Sequence, residues 1–239
     1  MLKNALSITS INDRPFFCSW SGGKDSCLAL YHAIQNGGIP RALFTMMTEP
    51  GDRSRSHGLP AKLINCQAAS LDIPQIMRGA AWETYEAVFL DKMRELKDDG
   101  IECGVFGDID LAGHLEWVER VCQSAGIRPY EPLWQRERKG LLQEFLDLGF
   151  KAMIVSVKDD LLSRDFLGRI LDAQVIAEME NIGIDASGEE GEYHTVVVDG
   201  PIFKCPLHLN QKEKVPISGY CFLDVAVNGS HQKGLPDPW

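Results

Sequence analysis

The chain lacks any apolar run of the roughly 18 residues a membrane-spanning helix requires, and its first residues, MLKNALSITSIN, lack the apolar stretch and small-residue cleavage site of a secretory leader. Positive charge is scarce: 24 Lys and Arg stand against 34 Asp and Glu, a net charge of −10. Such a field repels phosphate backbones and anionic lipid, so neither a nucleic acid nor a membrane is expected as a partner. The seven cysteines are odd in number and form no C-x-x-C pair, which leaves out a zinc ribbon or a redox dithiol and points to reduced thiols in a cytoplasmic setting. There is no internal repeat and no low-complexity tract. With 44% apolar and 24% charged residues over 239 positions, the composition excludes disorder and provides for one large α/β domain or two smaller ones sharing a core.

What is present is an alternation of periods. Residues 15–20 (PFFCSW) read as a buried strand and Asp25 to Gln35 as a helix ended by Gly37-Gly38; a second strand covers 41–47. The polar stretch TEPGDRSRSHGLP that follows is long for a simple connection, and long ordered loops are often functional. Helical spacing returns from Pro60 to Leu71, IPQIM makes a short strand, and further helices are expected at 82–97 and 111–124 on either side of the buried strand in ECGVFGDI. Four alternations of strand and helix argue for a parallel sheet with helices on both faces. After Gly126 the texture changes: RPYEPLWQRERKG leads to a helix at 141–148, a strand at 151–157, a long helical segment from about Leu167 to Glu180, and then short apolar runs broken by Gly, Pro and Asp, as in hairpins or edge strands. The tail GSHQKGLPDPW is expected to be loosely held. A division into residues 1–128 and 129–239 follows.

Between the first strand and first helix lies Ser21-Gly22-Gly23-Lys24-Asp25-Ser26. Small residues at a strand-to-helix turn let backbone amides approach an anion, and the helix N-terminus favours negative charge. Neither G-x-x-x-x-G-K-[ST] nor G-x-G-x-x-G fits here. S-G-G-x-D-S does, and at each of its fixed positions the segment resembles the signature of the PP-loop ATP pyrophosphatases. That resemblance implies an ATP site: an open, mostly parallel Rossmann-like sheet of the adenine-nucleotide α-hydrolase (HUP) kind, plus a smaller α+β C-terminal domain. It also implies cleavage between the α and β phosphates. Ser21, Gly22, Gly23, Lys24 and Ser26 would hold the leaving pyrophosphate, and Asp25 would hold Mg²⁺.

Residues 188–203, GEEGEYHTVVVDGPIF, resemble the acidic signature of the diphthine–ammonia ligase family, close to G-E-G-G-E-[FY]-E-[TS] followed by a strand and D-x-P-x-F. His57 in SHGL, Asp108 in FGDI and the segment YEPLWQR fall in the same order, so the resemblance spans nearly the whole chain. It implies an ATP-dependent amide ligase that adenylates a carboxylate and lets ammonia displace AMP. Asp108 then belongs to the nucleotide site, and His57, Glu189, Gly191, Glu192, Tyr193, His194 and Thr195 to the acceptor site. Glu190 stands where that family has glycine and His194 where it usually has glutamate, which leaves the acceptor open.

Ammonium must be recruited and lose a proton before it attacks. Glu189 and Glu192 are candidates for recruitment, and His194, if it titrates near neutrality, for the base. Taken without the resemblance, Glu189, Glu190 and Glu192 would be a solvated turn, Asp108 a helix cap before Leu111, and Trp134 a packing residue. The acceptor is expected to be diphthine on an elongation factor or a small molecule such as a corrinoid carboxylate. A nucleotide sensor without turnover and a tRNA-modifying enzyme are the other classes. Lys24 with Asp25 speaks against the first, and the net charge and scattered thiols against the second. The sequence is silent on oligomeric state, and a homo-oligomer stays open.

Overall fold

A computed structural model describes residues 8–228. The expectations for the opening residues and for the tail at 229–239 lie wholly or mostly outside them.

Five parallel strands form the first sheet: β1 (Pro15–Ser19), β2 (Ile39–Met47), β3 (Gln75–Gly79), β4 (Cys103–Val105) and β5 (Arg128–Tyr130), in the order β3-β2-β1-β4-β5. Four helices connect them: α1 (Lys24–Gln35), α2 (Ala61–Leu71), α3 (Tyr85–Asp98) and α4 (Ala112–Ala125). Because side chains alternate across a strand, β1 serves two cores. Phe17 packs with Phe44, Phe89, Met93, Phe106 and Val121 on the α3–α4 face. Phe16 and Cys18 join Leu28, Leu30, Leu63 and Ile64 of α1 and α2, in a core that runs on into the second half of the chain.

That second half is built from α5 (Arg138–Asp147), β6 (Lys151–Lys158), α6 (Ala173–Asn181), β7 (Tyr193–Asp199), β8 (Leu209–Ile217) and β9 (Tyr220–Val227). Its four strands form an antiparallel sheet in the order β7-β6-β9-β8. β8 and β9 are joined by Ser218-Gly219, both left-handed at φ 50° and 83°, the conformation a tight two-residue hairpin turn demands. Thus α1 and α2 lie between the two sheets, sharing core with Ile154, Val157, Val196 and Cys221.

The expected alternation is present, with two corrections. β5 adds a fifth strand at 128–130, where the sequence pattern leads straight to a helix; three residues, one of them proline, carry no readable period. The long helical segment from Leu167 is also broken. A single 3₁₀ turn covers Arg164–Phe166, Gly168 is left-handed at φ 85°, and Ile170 bridges to Met153 of β6. The helix starts late because Asp172 caps it, accepting from the Val175 amide at 2.8 Å.

Candidate active site

β1 ends at Ser19, and the chain turns through Ser21-Gly22-Gly23 into α1, whose N-terminus has no side-chain cap. Both glycines are required by geometry. Gly22 has φ 82°, and a Cβ there would lie 2.6 Å from Gln67 Oε1; a Cβ on Gly23 would overlap the His57 ring. Gln67 of α2 is fully buried and braces the turn: its Nε2 donates to the carbonyls of Gly22 (2.9 Å) and Val197 (2.8 Å), and its Oε1 accepts from Trp20 Nε1 (3.2 Å). The Val197 amide also donates to Gly22 O at 2.9 Å. β7 therefore stitches the loop to the second sheet.

Within the loop, Ser21 Oγ and Ser26 Oγ are 3.0 Å apart, the Gly23 amide donates to Ser21 Oγ (3.2 Å), and the Lys24 amide donates to Thr195 Oγ1 (3.1 Å). The Gly23 amide, expected from sequence to meet phosphate, is thus engaged with a hydroxyl that an anion would have to replace, and so is the Lys24 amide. Lys24 Nζ meets both Asp25 oxygens, at 2.9 and 2.8 Å, and lies 3.6 Å from Glu189 Oε1. Burial works against its charge, yet Asp25, Tyr193 and Glu189 around it hold its pKa above the ordinary lysine value.

The acidic loop is thereby brought to the glycine turn, although Lys24 and Glu189 lie near opposite ends of the chain. Glu189 is 14% exposed, and its pKa is pushed up to about 7, first by burial and then by the charge of Asp25, against the opposing pull of Lys24 and Arg138. The other members of the loop serve its shape. Glu192, 4% exposed, accepts the Glu190 amide at 3.0 Å; Tyr193 is buried and donates its hydroxyl to Ala186 O at 2.6 Å. Gly188 and Gly191 are left-handed, at φ 74° and 82°, whereas Glu190 is not, so its side chain is accommodated and stands 71% exposed.

His57 and His194 stack on one another. His57 Nδ1 lies 2.8 Å from Thr195 O, and because a carbonyl can only accept, that nitrogen carries the proton. Burial lowers the pKa of His57 to about 4, with Lys24 adding to the effect, and lowers that of His194 to about 3, with His57 and Lys24 adding. His194 is therefore held well below neutrality, which takes away the ground on which it was expected to act as the base, while Glu189 is raised toward neutrality.

Asp108 follows β4. It is not a cap for α4, which begins after Leu111 without one; instead it accepts from His114 Nδ1 at 3.0 Å. Both line a cleft of about 640 Å³ at the carboxyl ends of β1 and β4, walled by Trp82, Tyr85, Phe106 and Trp117. Ser19, Ser56 and Tyr85 are shared with a smaller recess of about 60 Å³ that reaches Ser21. The sheet order reverses between β1 and β4, and open α/β sheets bind ligands at such a point. The 48–60 loop supplies Arg55, which lies over Trp82 at 5.6 Å and donates to Ala80 O.

The sequence reading missed Gln67, Arg138 and the aromatic wall. Gln67 alone left a signal, a polar residue amid the apolar positions of α2. Among the described residues no three His, Cys, Asp or Glu side chains converge as a metal site. Asp25 offers one carboxylate of the kind Mg²⁺ takes together with phosphate oxygens and water, but both its oxygens are engaged by Lys24 Nζ, which a cation would have to displace.

Two family models match the chain: the diphthamide synthase N-terminal domain over residues 16–129 and the diphthamide synthase C-terminal domain over residues 137–228. The chain is similar to diphthine–ammonia ligases of Mus musculus (28% identical over 235 residues) and Homo sapiens (28% over 236), covering 86% of each protein and 86% of itself. It is 27% identical to that of Schizosaccharomyces pombe over 229 residues, again 86% of this chain but only 38% of the longer relative. With one match enclosing the glycine turn and the aromatic cleft and the other the acidic loop, the chain belongs to the diphthamide synthase family.

Proposed function

We propose that the chain is an ATP-dependent amide ligase: it adenylates a substrate carboxylate, releases pyrophosphate and joins ammonia to the activated carbonyl. The observation that carries this reading is the approach of Glu189 Oε1 to within 3.6 Å of Lys24 Nζ. It puts an acid of near-neutral pKa beside a glycine turn suited to phosphate, next to the cleft at the sheet's switch point.

ATP would set its triphosphate on residues 21–26, with the α1 N-terminus and Lys24 countering the charge that develops on the leaving pyrophosphate. Its adenosine would enter the cleft walled by Tyr85, Phe106 and Trp117, bordered by Asp108. Mg²⁺, held by Asp25 and the phosphates, would supply charge neutralisation. Glu189 at pKa about 7 is matched to taking a proton from ammonium near neutral pH, because a base works best when its pKa lies close to the operating pH. The acceptor named for the relatives is diphthine, and we assign the same class here: a carboxylate on a diphthine-bearing protein.

The test is product analysis with ATP, ammonium and a diphthine-bearing elongation factor. AMP and pyrophosphate formed only when the acceptor is present support the ligase. ADP as product, or nucleotide binding with no turnover on this acceptor or on a corrinoid carboxylate, overturns it.

A further inference from the structure

Arg138, the first residue of α5, is with Lys24 one of two cations that act on Glu189 of the acidic loop. Its Nε and Nη2 grip both oxygens of Asp110, at 2.7 and 2.8 Å, while Nη1 reaches Asp185 at 2.5 Å and Glu190 at 3.7 Å. Asp110 lies in the loop that leaves β4 and carries Asp108. Asp185 opens the acidic loop and is itself pinned, accepting from the amide (2.9 Å) and hydroxyl (2.7 Å) of Ser187. One planar guanidinium thus joins the end of the nucleotide-side sheet to the segment that bears Glu189, a fork geometry that lysine cannot reproduce. Arg138 also lines, with Lys24, Asp25 and Ser187, the crevice where the two halves meet.

We infer that Arg138 is a positioning residue: by clamping Asp185 to Asp110 it holds the 185–190 loop so that Glu189 faces Lys24, and its charge offsets the carboxylates gathered around that pair. This rests on the ligase reading for its purpose but not for its test. The groups whose charge reaches Glu189 are Lys24 and Asp25 from α1, Arg138 from α5, His114 from α4 and Tyr193 from β7, while its loop neighbours Asp185 and Glu190 pair with Arg138. Without Arg138, Lys24 is the one permanently charged cation left among them, so the carboxyl holds its proton to higher pH.

Two measurements on the full chain need neither ATP nor acceptor. The first is a ¹³C NMR titration of glutamate side-chain carboxyls, with Glu189→Gln assigning the signal; the second is backbone amide exchange across 108–111 and 185–191. In Arg138→Gln the Glu189 inflection is expected about half a pH unit higher or more, with exchange in both segments at least about threefold faster. Arg138→Lys keeps the charge and loses the fork, so the inflection should stay in place while exchange still quickens. An unmoved inflection or unchanged exchange in Arg138→Gln overturns the inference. Should that variant not fold, unchanged exchange in Arg138→Lys does so instead. If both effects appear while the wild-type protein makes no AMP, the ligase reading falls and the clamp stands.

Discussion

The imidazoles of His57 and His194 lie stacked with centroids 4.6 Å apart and planes 25° from parallel, and His57 fills the space that a side chain on Gly23 would need. One histidine comes from the loop after β2 and the other from β7, so the contact joins the two halves beside the glycine turn. Both rings are neutral at pH 7, because burial, chiefly, keeps their pKa values at about 4 and 3, below the ordinary 6.5. A histidine whose pKa is depressed on folding favours the folded state fully above its unfolded pKa. That advantage is lost as pH falls from 6.5 through the folded value. Each ring should cost roughly 2 kcal/mol of stability between pH 7 and pH 5. His194→Phe keeps a stacking partner for His57 and removes one titration. Urea midpoints at the two pH values are expected to fall less in this variant than in the wild type; equal falls would place the loss elsewhere.

Gly23→Ala tests the same contact from the other side. The added Cβ collides with His57 Cε1 and stands 3.2 Å from Thr195 O, so the loop must shift away from β7. Overpacking of this kind costs about 1–3 kcal/mol. Because His57 is the neighbour that gives way, His57→Ala in the same chain should recover at least about 1 kcal/mol, a coupling expected only of residues in contact. Thermal melts of the two single variants and the double variant give the coupling directly, and additivity would show that the clash is absorbed elsewhere.

Asp25→Asn separates binding from turnover. The glycine turn and its braces from Gln67 and β7 do not involve this carboxylate, so ATP binding measured by calorimetry should remain within roughly tenfold. Turnover, followed as AMP and pyrophosphate, should fall by about 10² or more, since the amide offers no anionic ligand to a hard cation and frees Lys24 from its ion pair. Undiminished turnover would remove Asp25 from the reaction.

How far the sequence could be read depended on whether each feature is local. β1, the glycine turn and α1 were legible because a buried strand, a break and an amphipathic helix are all written within about twenty consecutive residues, and the same period logic carried the alternation through α4. β5 was not legible: Arg128-Pro129-Tyr130 is a strand only because β4 lies beside it. The extended run before α6 was hidden by apolar residues that suit a helix and were instead spent on β6, Ile170 against Met153. In the site, the glycine and acidic segments were found, yet nothing in either says that Lys24 and Glu189 meet. The footing for a base at His194 was misjudged for the same reason. Sequence gives a histidine its ordinary pKa, whereas the stack on His57 and the burial of both rings take it away. Arg138 sits in the run RERK, which looks like a solvated face until Asp110 and Asp185 are seen to converge on it.

Glu189→Gln decides which group is the base. Adenylation needs no proton from ammonium, so ATP–pyrophosphate exchange in the presence of the acceptor should persist at a substantial fraction of the wild-type rate. Amide formation should drop by about 10²-fold or more, within the range general bases contribute. In the wild type, amide formation should show an inflection with pH near 7, because only the ionised carboxylate can accept a proton, and in the variant that inflection should be lost, leaving only the rise that follows free ammonia. His194→Phe should leave the inflection where it is, since a ring of pKa about 3 stays neutral and does not change protonation state across this range. The sharpest discrimination comes from the nucleophile. Hydroxylamine is largely unprotonated at pH 7 and needs no base to become reactive, so it should restore acyl transfer to Glu189→Gln as a hydroxamate while ammonium does not. A variant that hydroxylamine cannot restore has lost the adenylate rather than the base, and the carboxylate would then belong to the step that forms it.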